Sequence, residues 1–600
     1  MKAHRIRSGR VLLGPVVVLA LLVPAIATAQ DDPPGRVARL NYSQGSISLQ
    51  PGGEGDWITA TPNRPLVSGD NLWADQGSCA ELHVGSTAIR MNENTSITLL
   101  EVGDHVLQIR LALGSLVLHV RHLYDNDVVE IDTPNLAFTA LRNGDYRLDV
   151  NSEGDETLAT IRHGRGEVVG GGDSYDVLAG QRARFFGEEP LTYDIEQAGQ
   201  EDDFDNWAAA RDEHEDRAAT ADYVSREMTG YEDLDDYGNW TYAANYGWVW
   251  APAAVVPGWA PYRFGHWVWI APWGWTWVDN APWGFAPFHY GRWVYVSGGW
   301  AWVPGPIVVR PVYAPALVVF VGGAGFHPSR GGPAVAWFPL APGEVYVPMH
   351  HASPAYVNRV NITNTTVNVT RITNVYNYYN SNNTANTTQI TYVNQHVVNA
   401  ITAVPRDAFV NGRPVGAQNL TLAPREIEQA ALLHAPAVQP VRASVLGGGT
   451  PTRVVPPPAV ASRPVLTNRP AAAPQSAFAP SGPGNGLHGE AAVPNPSQGT
   501  PSARAERQVP RPPQAGAPGP VTAESTRQPA PADVSQAAPS THPLVRPVPP
   551  VQPKTQQQWS DQESKFKKWE QQRQQSNQHK SEQRSGESRE EKKAEKSVGR

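Results

Sequence analysis

Thirteen of the nineteen tryptophans of this 600-residue chain lie within residues 240–302, interleaved with glycine, proline and tyrosine. The segment repeats itself, because Gly265 to Gly291 is 26 residues and Gly274 to Gly299 is 25 residues. A buried tryptophan hides about 150–250 Å², whereas a soluble monomer rarely exposes an apolar patch larger than a few hundred Å². Most of these rings must therefore pack against each other, and a ring left on the surface is expected to bind something.

Tryptophan and tyrosine often alternate with other residues across 237–347, a period that lines one face of a short strand. Pro-Trp-Gly and Gly-Gly sequences mark the turns. We therefore predict an aromatic repeat module of short strands, with aromatic pairs packed across hairpins. The leading interpretation is that the rings form the module's core. The alternatives are insertion into an envelope interface, and a platform on which exposed indoles stack a sugar or another flat ligand. Trp267, Trp273 and Trp293 are the candidates for such exposed rings.

The preceding segments have different compositions. Short segments of period two, separated by turn signals about every ten residues, predict an all-β domain over 36–190. The pattern leaves a sandwich, a barrel and a β-solenoid open. An acidic, alanine-containing stretch over 196–236 predicts a solvated helical connector.

The segments after the aromatic module become progressively more polar. Residues 352–400 are rich in asparagine and threonine and predict an edge strand, a stalk or a self-associating segment. Residues 401–558 hold 30 of the 55 prolines and predict a long disordered tail, apart from a small island at 404–414. Residues 559–600 are rich in glutamine, lysine and glutamate, and we predict that they are partly helical.

The N-terminus predicts export. A basic start, an apolar run over residues 11–26 and the small residues Ala27-Thr-Ala29 form a signal-peptide pattern over 1–29. We expect cleavage, with retention as an anchor as the alternative, and no transmembrane segment after the signal is removed. Cys79 is the single cysteine, so no intramolecular disulfide can form. These features favour the periplasm or cell surface of a Gram-negative bacterium.

The motif search predicts no enzyme, no cofactor and no metal site. The chain lacks a Gly-x-Ser-x-Gly elbow, a phosphate loop and a His-Glu-x-x-His sequence. His119, His122 and His163 have no metal-ligand spacing, and the acidic segment has no calcium-loop pattern. The net charge of −8 argues against nucleic acid as the main partner.

Several short motifs follow one another in the first domain. They are Arg36-Val-Ala-Arg-Leu40, Gly45-Ser-Ile-Ser-Leu49, Leu66-Val-Ser-Gly-Asp70, Ala80-Glu-Leu-His-Val-Gly85, Leu111-Ala-Leu-Gly-Ser-Leu-Val-Leu118, Thr133-Pro-Asn135 and Leu178-Ala-Gly-Gln181. In this order they resemble the FecR domain of bacterial envelope proteins. The usual Gly-Thr-x-Phe is replaced here by Asn143-Gly-Asp-Tyr146. The resemblance implies a periplasmic, β-solenoid-like fold without catalytic residues.

The combination of this domain with an acidic helix and Trp-Val-Trp repeats resembles a group of exported FecR-type proteins whose function is not established. We therefore expect a non-enzymatic envelope protein that binds or scaffolds an envelope protein or a cell-wall polymer. One alternative is a glycan-binding module for peptidoglycan or exopolysaccharide. A second alternative is a component of a cell-surface signalling system.

Overall fold

The computed structural model describes most of the chain up to residue 470. The described residues are 32–322, 326, 328, 332–350, 352–380, 390–428 and 430–470. The predicted signal peptide (1–29), the tail beyond residue 470 and the segment 559–600 lie outside them. The described part is mainly β, as predicted, with short helices between several sheets. None of its helices has the length and apolarity needed to cross a membrane.

Seventeen strands form the first domain. They are β1 (Ala38–Gln44), β2 (Ile47–Gln50), β3 (Ile58–Thr59), β4 (Pro65–Leu66), β5 (Asn71–Ala74), β6 (Cys79–Val84), β7 (Thr87–Met91), β8 (Thr95–Val102), β9 (Val106–Val120), β10 (Val128–Asp132), β11 (Ala137–Ala140), β12 (Gly144–Val150), β13 (Glu156–His163), β14 (Arg165–Gly170), β15 (Asp173–Leu178), β16 (Gln181–Phe186) and β17 (Thr192–Gln197).

The long strand β9 takes part in two layers. Its second half pairs with β7 and β12 in a layer ordered β4-β1-β6-β7-β9-β12-β13-β16-β17. Its first half pairs with β8 and β10 in a layer ordered β3-β2-β5-β8-β9-β10-β11-β14-β15. Alternate residues of both layers, such as Leu82 and Leu118 of the first and Leu72 and Ile131 of the second, meet in one apolar core. The period-two pattern of the sequence therefore marks the face that each strand buries.

The connector is less helical than predicted. It contains α1 (Asp203–Asp216), a 3₁₀ turn (Ala219–Asp222) and the short α2 (Leu234–Tyr237). The Asp202 side chain caps α1 by accepting a hydrogen bond from the Asp205 amide, and Asp205 returns the contact in a capping box. Phe204 and Ala208 pack on Val117 of β9, so the helix lies against the first domain.

The aromatic module begins with three hairpins and continues into a further strand pair. Its elements are β18 (Gly238–Ala243), β19 (Gly247–Pro252), β20 (Gly265–Ile270), β21 (Gly274–Asp279), α3 (Ala286–His289), β22 (Arg292–Val296), β23 (Gly299–Val303), β24 (Val318–Gly322) and β25 (Ala334–Pro339). The first and third hairpins join in a sheet ordered β18-β19-β23-β22, and the middle hairpin β20-β21 forms its own sheet. The predicted cross-hairpin pairs are confirmed, since Trp267 faces Trp277 and Trp269 faces Trp275.

Each hairpin seats an indole over a glycine. A Cβ atom added at Gly238 would lie within 3.0 Å of the Trp250 ring, one at Gly265 within 3.0 Å of Trp277, and one at Gly291 within 3.0 Å of Trp302. Real Cβ atoms do not come so close, so the hairpin start requires glycine wherever the indole covers the backbone. The repeat seen in the sequence is thus one glycine–tryptophan hairpin, and the structure contains three copies of it.

The rest of the described chain adds a last sheet and several helices. These elements are α4 (Pro354–Ile362), α5 (Val369–Asn380), a 3₁₀ turn (Asn394–His396), β26 (Thr402–Pro405), α6 (Arg406–Val410), α7 (Pro424–Glu428), β27 (Ala431–Leu433), α8 (Arg442–Leu446) and α9 (Pro458–Ala461). The strands pair in the order β26-β25-β24-β27.

The prediction of a strand or stalk over 352–400 is wrong. Ser353 caps α4 by accepting a hydrogen bond from the Tyr356 amide at 3.1 Å, with Pro354 in the first turn. Tyr356, Val357 and Val360 then bury one face at helical spacing. Buried Asn364 donates to the Val312 carbonyl at 2.8 Å, so this asparagine satisfies backbone groups inside the protein.

The predicted start of the disordered tail at residue 401 is also wrong, because β26 pairs with β25, β27 pairs with β24, and the Leu466 amide donates to the first domain. The island at 404–414 is confirmed as a folded element. Phe409 lies 4.5 Å from Trp275 and 5.2 Å from Trp267, measured between ring centroids. A single phenylalanine is enough to anchor the segment because it enters a core of much larger rings.

Candidate ligand-binding surface and buried charge network

The three tryptophans proposed as exposed stacking rings are buried. Their exposed fractions are 0% for Trp267, 1% for Trp273 and 1% for Trp293. Trp267 is surrounded by other rings, among them Trp337 at 5.2 Å. The prediction of their exposure is wrong. Trp267 and Trp293 face Trp277 and Trp302 across their hairpins. Trp273, in the turn before β21, packs on Tyr313 with ring centroids 5.4 Å apart.

Four tryptophans form a row across the sheet of the first and third hairpins. The register sets Trp240 opposite Trp250, Trp250 opposite Trp302, and Trp302 opposite Trp293. The indole N–H of Trp250 donates to the Leu234 carbonyl at 2.9 Å, and that of Trp302 donates to the Tyr290 carbonyl at 2.8 Å. Trp293 donates to the Pro287 carbonyl at 2.8 Å, and Trp240 donates to the Thr220 hydroxyl at 3.0 Å. All four indole N–H groups of the row are therefore satisfied.

At the β18-β19 turn, this aromatic packing reaches the surface. Tyr242 and Trp248 face each other across the hairpin and are 68% and 48% exposed. Tyr223 links them to the interior, because its ring lies 5.0 Å from Trp248 and stacks on Trp240 at 4.4 Å with an interplanar angle of 20°. The exposed rings are thus held in place by partly buried rings that pack on the core.

A cleft of about 500 Å³ opens beside these rings. Tyr223, Tyr246 and Trp248 supply aromatic surface, and Asp222, Asn245, Thr365 and Thr366 supply polar groups. Flat apolar surface bordered by hydrogen-bonding side chains is the combination that a sugar ring requires, since a sugar has apolar faces and a polar rim. We call this set of residues, together with Tyr242, the Trp248 cleft.

A second polar region lies between the first domain and the connector. Glu81 is 1% exposed and is enclosed by donors: Arg90 Nε lies 2.7 Å from its Oε2, and Arg211 NH2 lies 2.6 Å from its Oε1. Burial alone would raise the pKa of Glu81, but His83, Arg211 and Arg90 hold it well below its usual value. Arg211 belongs to α1, so this ion pair fastens the connector to β6.

His83 lies at the centre of the same region. Its Nδ1 donates to Glu232 at 2.7 Å, and its Nε2 lies 3.3 Å from Glu81 and 3.6 Å from Glu215. Burial opposes the charged imidazolium, yet Glu215, Glu232 and Glu81 outweigh it and raise the pKa of His83 well above its usual value. A buried cation surrounded by carboxylates joins β6, α1 and the segment before α2.

These acids border a cleft of about 680 Å³ that also reaches the aromatic module at Asp279. Burial raises the pKa of Asp279 to about 7, against hydrogen bonds from the Ala281 amide and the Trp277 indole. The carboxylates of the connector, in contrast, are occupied by cations: Arg121 lies 3.0 Å from Glu215, and Arg39 lies 3.4 Å from Glu232. Paired in this way, these carboxylates hold segments of the chain together.

Sequence reasoning missed this network and read the acidic stretch as a solvated face. Glu81 and His83 alternate with Leu82 and Val84 along β6, a pattern that normally places charges in water. Here α1 covers that face of the sheet. The signal that was available is the matching set of charges, because β1 and β7 each carry one arginine, Arg39 and Arg90, and the connector is rich in acids.

Comparison with known proteins gives a match within the aromatic module and little outside it. A family model described as "Family of unknown function (DUF6600)" matches residues 231–344, a stretch that contains all three hairpins. No curated protein matches the sequence.

Two solved structures of a "putative anti-sigma factor" from Parabacteroides distasonis ATCC 8503 show limited similarity. Each is 14% identical and covers 21% of this chain and 60% of its own, with a TM-score of 0.19. The chain therefore spans less than two thirds of that protein, and the likeness carries no inference about fold or function.

Proposed function

We propose that this protein is an exported, non-enzymatic component of a Gram-negative cell envelope that binds a glycan polymer, peptidoglycan or exopolysaccharide, through the Trp248 cleft. The observation that carries the proposal is the pair of exposed rings, Tyr242 and Trp248, fixed against a buried aromatic row beside a polar cleft. In this proposal the first domain is FecR-like and has a solenoid-like fold. Together with the connector it serves as the scaffold that holds the aromatic module.

Preorganisation supports this assignment. A side chain that is already ordered loses little conformational entropy when a ligand binds. Trp248 is held by Tyr223 at 5.0 Å and by Tyr242 at 5.8 Å, so its ring has a fixed orientation before any ligand arrives. Fixed rings of this kind suit a repeating polymer, because several weak stacking contacts can act together.

The absence of catalysis is part of the proposal and is supported by the charge network. Glycoside hydrolysis requires two carboxyl groups that can exchange protons with the substrate or with water. Glu81, Glu215 and Glu232 each lie within ion-pair distance of an arginine. We therefore assign the network to holding the connector and the module together.

The test is binding of the purified full chain to polymer. We would measure co-sedimentation with insoluble peptidoglycan and affinity electrophoresis in soluble exopolysaccharide. We expect Trp248→Ala to weaken binding about tenfold, since an aromatic contact contributes about 0.5–1.5 kcal/mol beyond area burial and 1.4 kcal/mol is tenfold. Tyr295→Ala is the matched control, because Tyr295 is 44% exposed and lies at the β22-β23 hairpin, outside the cleft.

Retention of the wild-type chain by neither polymer would refute glycan binding. Equal loss in Trp248→Ala and Tyr295→Ala would show that the Trp248 cleft is not the binding surface. Circular dichroism of each variant shows whether the fold is kept, because both side chains lie at hairpin ends and their removal opens no internal cavity.

A further inference from the structure

Three neighbouring strands of the first domain bring two histidines to either side of one aspartate. The register pairs Asp145 of β12 with His119 of β9 on one side and with His163 of β13 on the other. Residues directly opposite in antiparallel strands have Cβ atoms about 4.5–5.5 Å apart on the same face. The row His119–Asp145–His163 therefore results from strand pairing, although the three residues lie far apart in the sequence.

Both imidazoles point the same ring nitrogen at the aspartate. His119 Nδ1 contacts Asp145 Oδ1, and His163 Nδ1 lies 2.6 Å from Asp145 Oδ2. The row is partly open to solvent, because the side chains of His119, Asp145 and His163 are 18%, 29% and 78% exposed. An ion from solution could reach all three side chains without local unfolding.

Helix α1 adds a fourth side chain, the carboxylate of Asp212, over this row. Asp212 Oδ2 lies 3.6 Å from His119 Nδ1. The other oxygen of Asp212, Oδ1, accepts hydrogen bonds from Arg90 NH2 at 2.8 Å and from Arg121 NH2 at 3.0 Å. The two arginines orient the carboxylate and leave Oδ2 facing the histidine, as outer-shell groups do around metal ligands.

We propose that His119, Asp145 and Asp212, joined by His163, form a binding site for a divalent transition-metal ion of the zinc class. One ligand atom from each of the first three residues already lies within 4.8 Å of the other two. Bonds of about 2.0–2.2 Å to nitrogen and oxygen in a tetrahedral site require movements of only about 1 Å from this arrangement. His163, the most exposed of the four, rotates to complete the shell.

The buried trio His83, Glu215 and Glu232 also has ligand atoms within 4.8 Å of one another. It is the weaker candidate, because its three side chains are all buried, whereas those of His119, Asp145 and Asp212 are partly open to solvent. At the His119 row, in contrast, the two imidazoles face carboxylate oxygens from the sheet and from α1 near solvent. A bound ion would then fasten α1 to the sheet.

The proposal departs from the sequence-based expectation of no metal site. His119 and His163 are 44 residues apart in the sequence, and no motif connects them. Only the order β9-β12-β13 places Asp145 between them. The proposal is independent of the Trp248 cleft, which lies in a different part of the sequence and uses none of these residues.

The test is zinc binding by the untagged, metal-free full chain. We would titrate Zn²⁺ calorimetrically and against a chromophoric chelator, and record the visible spectrum of the Co²⁺-substituted protein as the readout of tetrahedral coordination. We expect one equivalent of Zn²⁺ to bind, and we expect His119→Ala and His163→Ala each to weaken binding at least about tenfold. His163→Ala is informative even if His119→Ala does not fold, because the exposed His163 supports no core.

His105→Ala is the matched control. His105 forms a similar surface pair, with Nδ1 3.0 Å from Asp127, but the structure gives it no second histidine on that aspartate. We expect its removal to leave zinc affinity unchanged. The proposal is overturned if the wild-type chain binds no equivalent of Zn²⁺, or if His163→Ala and His105→Ala lower the affinity equally.

Discussion

Single buried carboxylates in this protein differ in whether a cation neutralises them. Glu81 is held ionised by two arginines and His83. Asp132 lies instead beside Glu130, with both side chains fully buried, and its Oδ2 accepts a hydrogen bond from Gln108 at 2.8 Å. Burial and the neighbouring Glu130 raise the pKa of Asp132 to about 8.

This difference predicts a pH dependence of stability. The pKa of Asp132 is about 8 in the folded state, whereas an aspartate of the unfolded chain has its ordinary pKa of 3.8. The contribution of this group is therefore fully present below about pH 4 and is lost as the pH rises towards 8. We expect Asp132→Asn to remove this loss. The free energy of unfolding of the variant minus that of wild type should then be larger at pH 8.5 than at pH 4.5, by at least about 1 kcal/mol.

Urea denaturation of both chains at the two pH values measures this effect. Asp194→Asn, at an exposed position of β17, is the control and should leave the pH dependence of wild type unchanged. An identical pH slope for wild type and Asp132→Asn would contradict the assignment of the raised pKa to Asp132.

At the scale of elements, the alternation of apolar and polar residues carries most of the structural information that the sequence offers. It predicted the strands of the first domain and the cross-hairpin tryptophan pairs, because period two fixes which side chains share a face. It did not reveal which face of the sheet α1 would cover, so the pairing of Glu81 and His83 with the connector was not predicted. It also could not locate exposed rings, since Trp248 and Trp267 have the same local pattern and differ only in the partners that surround them.

The segment 450–470 escaped prediction for another reason: its contacts are made mainly by backbone. The Thr452 amide donates to the Trp57 carbonyl at 3.0 Å, and the Leu466 amide donates to the Thr133 carbonyl at 2.9 Å. The Arg463 guanidinium donates to the carbonyls of Ala112 and Ser152 at 2.9 and 2.6 Å. Such bonds need no apolar periodicity, so a proline-rich composition gives no sign of them.

These contacts predict slow hydrogen exchange in a segment whose composition suggests disorder. We expect the amides of Thr452 and Leu466 to exchange at least about tenfold more slowly than an unstructured peptide, because opening must break a hydrogen bond to the first domain. Mass spectrometry of the deuterated full chain measures the rates. Arg463→Ala should speed exchange at Leu466, and the control Arg453→Ala, at an exposed position, should not. Exchange of both amides at the unstructured rate in wild type would contradict the docking.

At the scale of the whole described molecule, two large apolar cores meet through polar contacts. One core fills the first domain, and the other combines the connector, the aromatic module and the island around Phe409. Arg39 of β1 lies between them. Its guanidinium donates to Asn63 at 2.8 Å and to the Pro282 carbonyl at 2.9 Å, and pairs with Glu232 at 3.4 Å.

Removal of this arginine is therefore expected to weaken the junction between the cores. Arg39→Ala removes the cation paired with Asp233 and leaves Glu232 with His83. Loss of one partner of a buried ion pair typically costs about 3–5 kcal/mol. We expect calorimetry to show that the first melting transition occurs at a lower temperature than in wild type. The melting temperatures of the two cores should also differ more than in wild type. Arg217→Ala is the control, because Arg217 forms an ion pair with Glu213 in which both side chains are exposed. Such surface pairs contribute about 0–1 kcal/mol. Equal effects of the two substitutions would refute the role of Arg39.

The three glycine–tryptophan hairpins also constrain how this chain can change over time. The indole follows its glycine by 12, 12 and 11 residues, and each pair is closed within a single hairpin, so duplication or deletion of one unit leaves the other closures intact. A single added methyl group at Gly238, Gly265 or Gly291 meets a ring that cannot retreat. Evolution is thus expected to change the number of hairpins and the linkers between them more readily than it replaces these three glycines.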